Sequence, residues 1–354
     1  MKGLARALIV VTAGLAAWSV PADAQAQQAA AFRDADGSPF RYADGSPHPV
    51  TPWGDPDLQG MWPIMHLFAT NLQRNPQYGD RQQLTDDEWK RAEAVLQARE
   101  QNYQREIATG KMNMGHWAET TTRSAATRLT SLISYPANGR MPALTEKGKA
   151  LVPLFKSDDT RTVFDSPDDF DAWDRCITRG LPSSMLPYNY NNGIQILQSP
   201  GYVVVNLEMV HEARVIPVDG RPPLAGAITQ WMGESRGRWE GTTLVVETTN
   251  FNGRVHMIIT GIPGKPAGDW PSSPNTKVTE RFRRVSDSQI DYEMTIEDAD
   301  ILTDKWTVSY PMYQDPGYFW NEYACHEGNT AVRNFIEASR FERGLNPDGS
   351  PRQK

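Results

Sequence analysis

The feature that most constrains this chain is a run of short, strand-patterned segments between residues 194 and 323, joined by tight turn signals. In Gln289–Glu297, Ile290, Tyr292, Met294 and Ile296 alternate with Asp291, Glu293, Thr295 and Glu297, the two-residue period of a strand with one core face and one wet face. Ser286, Asp287 and Ser288 turn this strand back on residues 277–285, which read as the other arm of a hairpin. Residues 194–198, 202–208, 213–218, 244–249 and 305–312 read as further strands. Turns are expected at Ser199-Pro200-Gly201, at Asp219-Gly220 and within residues 239–244. This spacing predicts a mainly β fold, in which residues 194–330 form an antiparallel meander barrel of lipocalin-like (calycin-like) type.

The same run keeps ionisable residues inside the strand pattern. Glu208, His211, Arg214, His256, Glu280, Arg281, Asp298 and His326 all fall in or beside expected strands. A sheet that only had to pack would place its charges at turns and on one solvent face. Charge on both faces points to a partly polar interior, which suits a ligand pocket.

The N-terminus reads as a secretory leader. Lys2 and Arg6 precede an uncharged, mostly apolar stretch over residues 8–20, and Ala22-Asp23-Ala24 and Ala24-Gln25-Ala26 offer small-x-small cleavage sites, giving a signal peptide over residues 1–26. The apolar stretch is short for a membrane span and Pro21 closes it. The protein is therefore expected in the periplasm or secreted, with no integral membrane segment after cleavage. Of the two cysteines, Cys176 and Cys325, the simplest reading in an oxidising compartment is a disulfide. Closing a loop of about 150 residues is valued at roughly 5 kcal/mol by the chain-entropy argument. The competing reading is a reactive or metal-binding thiol beside His326 and Glu327. Net charge is −7 with no basic stripe, which argues against nucleic acid as a partner.

Outside the β region, residues 27–84 read as an extended arm. Ala-Asp-Gly-Ser-Pro occurs at 35–39 and 43–47, and Pro-Asp-Gly-Ser-Pro at 347–351, all as surface turns, while Trp53 and Trp62 are expected to pin the arm to the body. Residues 85–193 read as helical and irregular packing. Thr85 and Glu88 form a capping-box pattern opening a helix that ends before Gly110. Shorter helices are expected around 145–155 and 165–175, and a C-terminal helix and tail over 331–354. The Gly/Pro-rich stretch 252–276 is long enough to act as a lid or rim loop.

Five stretches carry a resemblance: Cys176-Ile177-Thr178-Arg179-Gly180-Leu181-Pro182, Glu208-Met209-Val210-His211-Glu212-Ala213-Arg214, the residues from Gly233 to Gly241, Thr279-Glu280-Arg281-Phe282 and Tyr323-Ala324-Cys325-His326-Glu327-Gly328-Asn329. Together with residues 51–62 they resemble an uncharacterised family of exported bacterial proteins. Members often carry His after Gly-Arg-Pro, where this chain has Pro223. The resemblance implies export and a single architecture, and no mechanism.

For chemistry, His211 and His326 are the candidate acid and base, Glu208 the orienting carboxylate and Arg214 the oxyanion stabiliser. His256, Glu280, Asp298 and Tyr323 are candidate substrate contacts. The structural alternative is that the inward charges pair with each other, as Glu280 with Arg214 or Asp298 with Arg281. His211, His256 and His326 lack tight ligand spacing, and neither a Gly-x-Gly-x-x-Gly nor a Gly-x-Ser-x-Gly signature occurs, so neither metal nor organic cofactor is expected. The first functional expectation is a cofactor-free isomerase, cyclase or lyase acting on an apolar or aromatic compound. The alternative is a ligand-binding or carrier protein with the same barrel. A third reading, an assembly protein, would expose a large apolar patch.

Overall fold

Strand order follows chain order through most of the molecule, as tight turns between alternating segments require. The computed structural model describes residues 40–111, 127–155, 162–268 and 270–352. The expected leader and the first Ala-Asp-Gly-Ser-Pro turn lie outside the described residues.

The fold is mainly β, built of antiparallel sheets. β1 (Gly60–Met61), β3 (Ile194–Ser199), β4 (Tyr202–Leu207) and β5 (Glu212–Pro217) form a four-stranded sheet in the order β1-β3-β4-β5. β2 (Ile133–Tyr135), β6 (Glu234–Glu240), β7 (Thr243–Thr249), β10 (Lys277–Ser286), β11 (Gln289–Glu297) and β12 (Trp306–Tyr313) form a six-stranded sheet in the order β2-β12-β11-β10-β7-β6. β8 (His256–Ile258) pairs only with β9 (Trp270–Pro271). The meander is thus present, but β5 and β6 belong to different sheets, and among the described residues no barrel closes.

Alternation fixes which face is inside. On β10, Val278, Glu280, Phe282 and Arg284 are buried, and on β11 Ile290, Tyr292, Met294 and Ile296 are buried. The two strands pair Phe282 with Tyr292 and Glu280 with Met294, so both inner faces point the same way. Ile194, Ile196, Val203, Val205, Leu207 and Ile216 of the smaller sheet close the core from the other side. One place shows how near the sheets come. A Cβ at Gly237 on β6 would lie 2.7 Å from Val218 and 3.0 Å from Ile216, so glycine permits the approach at that end of the β5–β6 seam.

The N-terminal segment is more than an arm. Trp62 is fully buried and its Nε1 donates to the Leu58 carbonyl at 2.9 Å, while β1 and β2 extend one edge of each sheet. β1 and β2 are too short to show alternation. α1 (Asp86–Thr109) begins at a complete Thr85/Glu88 capping box and ends at Gly110 in the left-handed region, matching its sequence signals. α2 (Glu146–Leu151), capped by Thr145, runs into a 3₁₀ turn at Val152–Leu154. The helix expected at 165–175 is only a 3₁₀ turn at Pro167–Asp169. Asp171 draws the chain out of helix there, because its Oδ1 accepts from the backbone of Trp173 and Asp174 at 2.8 and 2.7 Å. α3 (Ala331–Glu342) is the expected C-terminal helix.

Residues 252–276 are not a free lid. Val255, Met257, Ile258, Ile259 and Ile262 are buried, and the Ser183 hydroxyl donates to the Met257 carbonyl at 3.2 Å. Five apolar side chains in one Gly/Pro-rich insertion outweigh its loop-like composition, and the segment packs into the core. No described helix is long and apolar enough to cross a membrane.

Candidate functional site

The turn from β4 to β5 carries two of the residues singled out in the sequence, Glu208 and His211. It passes through Val210 and His211, both at positive φ (61° and 41°), a conformation a β-branched residue seldom adopts. Burial of Val210 and a bond between His211 Nδ1 and the Tyr323 carbonyl (3.0 Å) hold it in place. The His211 ring lies at the exposed surface.

Glu208 does not orient His211. It is fully buried, and its Oε2 accepts from the Gly193 amide (2.9 Å) and the Tyr318 hydroxyl (2.5 Å), while Oε1 accepts from the Asn321 amide (2.8 Å). These bonds tie down residues 314–330, a strap of neither helix nor strand between β12 and α3. The strap is tied again at the Cys176–Cys325 disulfide, whose Cα atoms are 5.7 Å apart. A third tie is Trp173 Nε1, which donates to the Tyr323 hydroxyl at 3.1 Å. His326 lies on this strap, exposed to solvent.

Arg214 faces the interior and meets Glu280. Nη1 donates to Oε1 at 2.9 Å and Nη2 to Oε2, while the Tyr292 hydroxyl donates to Oε1 at 2.8 Å. Arg214 Nη2 also reaches the Ser235 hydroxyl (3.3 Å), which is 2.9 Å from that of Thr248. Two buried opposite charges in bidentate geometry satisfy each other across the two sheets. Of the two pairings considered from sequence, this one forms. The other does not: Arg281 is on the outer face with Glu240 at 3.0 Å, and Asp298 accepts from Ser273 and Thr276 in a buried turn. His256 is buried, with Nδ1 3.5 Å from Asp171 and its ring against Phe155. Among the described residues, no three His, Cys, Asp or Glu side chains converge with metal-binding geometry.

The seam between β5 and β6, close at Gly237, opens at its other end into a cleft of about 600 Å³. Glu212, Arg214 and Ser235 line it on the polar side, with Leu224, Trp231 and Met232 among its apolar walls. Glu212 was not singled out in the sequence, where it reads as an ordinary strand-start charge. The Thr178 hydroxyl donates to its Oε2 at 2.5 Å, and burial raises its carboxyl above the usual range against the opposing pull of that bond, Arg214 and His211. A second hollow of about 470 Å³ lies over the outer face of the larger sheet, where Arg283 and Asp291 pair at 2.9 Å.

Arg179 is the second residue the sequence reading passed over. It is buried, with its guanidinium 4.7 Å from the Tyr188 ring centroid and 5.7 Å from that of Trp173. Burial brings its pKa down to about 10, against the opposing influence of Tyr188, Tyr190 and Tyr323. In sequence it stands only within the Cys176–Pro182 motif, between Thr178 and Gly180. Only tertiary packing surrounds it with aromatic rings.

The chain matches no family model, no curated protein and no solved structure.

Proposed function

We propose that this is an exported small-molecule-binding protein that takes its ligand in the cleft where the two sheets fail to join. The export reading rests on the leader pattern of residues 1–26 and agrees with the disulfide. In this reading the sheets act as an open barrel, with the β5–β6 seam as its mouth. The observation that carries it is the cleft itself, which has the size of a small-ligand site and pairs apolar walls at Leu224, Trp231 and Met232 with polar groups at Glu212 and Ser235. The ligand class that suits it is a compact organic molecule with an apolar or aromatic body and one or two polar groups.

Binding without catalysis is favoured over the acid–base quartet. Glu208 is occupied by three hydrogen bonds, Arg214 by Glu280, and His211 and His326 are exposed. One observation supports an enzymatic second reading, a lyase or isomerase with a different acid. Glu212 lines the cleft with a raised pKa, as a carboxyl serving as proton donor requires.

The test is native mass spectrometry of the exported protein, with the released compound rebound to the wild type and to Leu224→Trp at the cleft rim. Retention by the wild type and loss in Leu224→Trp supports the cleft. Equal retention by both places the ligand elsewhere. Conversion of the compound by the wild type, lost in Glu212→Gln, would establish the enzyme reading over the carrier.

A further inference from the structure

β5 and β6 end the two sheets at the seam, and each has a backbone edge that no strand covers. The ladders show which groups lie on those edges. The Val218 amide donates to the Gly201 carbonyl at 2.9 Å, and the β4–β5 register runs from Tyr202↔Pro217 to Leu207↔Glu212 without a shift. Alternation along an antiparallel ladder then turns the backbone groups of Glu212, Arg214 and Ile216 towards β4, and those of Ala213 and Val215 away from it. On β6, Glu240 and Thr243 flank a two-residue turn as a hydrogen-bonded pair. The same alternation turns the backbone of Ser235 away from β7.

These edges face the cleft. Residues 212–215 and 233–236 line it in unbroken succession, whereas the face of a sheet would contribute every second residue. Val215 is 57% exposed, so nothing covers its edge. The Ser235 carbonyl accepts from Arg236 Nη1 at 3.2 Å, which leaves its N–H as the idle group. An unpaired edge presents N–H and C=O groups at a fixed spacing and takes up a matching backbone. The side chains around it have no charge to spare. Arg214 is held by Glu280, Glu234 pairs with Arg236, and burial moves the Glu212 carboxyl towards its neutral form. A volume of about 600 Å³ between two facing edges suits a few residues and not a second sheet.

We propose that the ligand of the cleft is an acylated amino acid amide or a short uncharged peptide, whose backbone N–H and C=O pair with Val215 on the β5 edge while its apolar side chain lies against Leu224, Trp231 and Met232. This rests on the cleft reading given under the proposed function and narrows its ligand class. Two amides flanking one apolar side chain are the polar groups and the body that the cleft takes.

The probe is N-acetyl-L-phenylalaninamide, titrated into the intact, disulfide-bonded, ¹⁵N-labelled protein and followed by amide NMR shifts and hydrogen exchange. Saturable shifts are expected at Val215 and Ser235, with exchange at Val215 slowed roughly tenfold when the probe stands at about ten times its Kd. The N-methylated probe keeps the aromatic body but lacks the N–H, and should bind about tenfold more weakly. Val215→Pro removes the edge N–H and keeps the β4 ladder, because proline is tolerated where the N–H faces away from the sheet. It should weaken the probe to a similar degree. Undiminished binding of the N-methylated probe to the wild type overturns the amide assignment, whether or not Val215→Pro folds. Benzylacetone separates this outcome from failure of the cleft itself, since it has the aromatic body and a carbonyl but no amide. If it binds as tightly as the probe and Leu224→Trp abolishes its binding, the cleft reading stands and the amide assignment falls. If neither compound gives saturable shifts at residues lining the cleft, both fall.

Discussion

Arg214 on β5 and Glu280 on β10 meet as a two-pronged ion pair across the core, joining the smaller sheet to the larger one between residues 66 positions apart in sequence. Both side chains are almost fully buried, and Tyr292 completes the shell around the carboxylate. Ionisable residues within the strand pattern therefore have a structural use here: they tie together two sheets whose backbones do not pair.

Removing one partner leaves the other as an uncompensated buried charge. Glu280→Gln should lower stability by about 3–5 kcal/mol, and the double variant Arg214→Met/Glu280→Leu should recover most of that loss. Urea unfolding midpoints of the three proteins measure it. A Glu280→Gln protein as stable as the wild type would contradict the buried pair.

Glu208 holds the strap through the Tyr318 hydroxyl and the Asn321 amide. Glu208→Ala should cost about 1–3 kcal/mol by leaving these donors unmet. It should also speed hydrogen exchange at Asn321. A purely catalytic Glu208 would leave exchange there unchanged.

The disulfide fixes the far end of the same strap. Cys325→Ser should cost about 2–5 kcal/mol, read from the thermal midpoint with its unfolding enthalpy. A parallel Cys176→Ser protein should lose the same amount. A large difference between the two would show that one thiol has a further role.

His66 supplies a pH dependence. It is buried with Nε2 3.0 Å from the Pro311 carbonyl, and burial lowers its pKa from 6.5 to about 4. The unfolded chain therefore binds a proton near pH 6.5 that the folded chain refuses until about pH 4. Stability contributed by the neutral ring is complete above pH 6.5 and is lost as pH falls towards 4, by on the order of 3 kcal/mol. His48 is shifted in the same direction, again chiefly by burial. His66→Gln should flatten the slope of urea midpoint against pH between 6.5 and 4. An unchanged slope would assign the dependence to other groups.

Strong local signals in the sequence coincide with the elements of the structure. Gln289–Glu297 appears as a strand with the bounds its alternation gave, and Thr85, Glu88 and Gly110 marked both ends of α1. β6 carries no strand signature, because Glu234–Glu240 has four charges and one glycine where a strand pattern expects apolar residues. Three of the four candidate catalytic residues, Glu208, His211 and Arg214, group by proximity in sequence. Glu208 and His211 are indeed neighbours, but a left-handed turn at Val210 sends one side chain inward and leaves the other at the surface.

The sequence by itself determined the mainly β character, the inner face of Gln289–Glu297, the capped helix and the pairing of the only two cysteines. These depend on residue period, on end signals within a few positions, or on having a single choice. Tertiary structure alone decided that the sheets stay unjoined between β5 and β6, that Arg214 pairs with Glu280, and that aromatic rings enclose Arg179. Each of these depends on which distant segments meet. Contacts between residues tens of positions apart are set by the packing of the whole core, and no local pattern of residues encodes them.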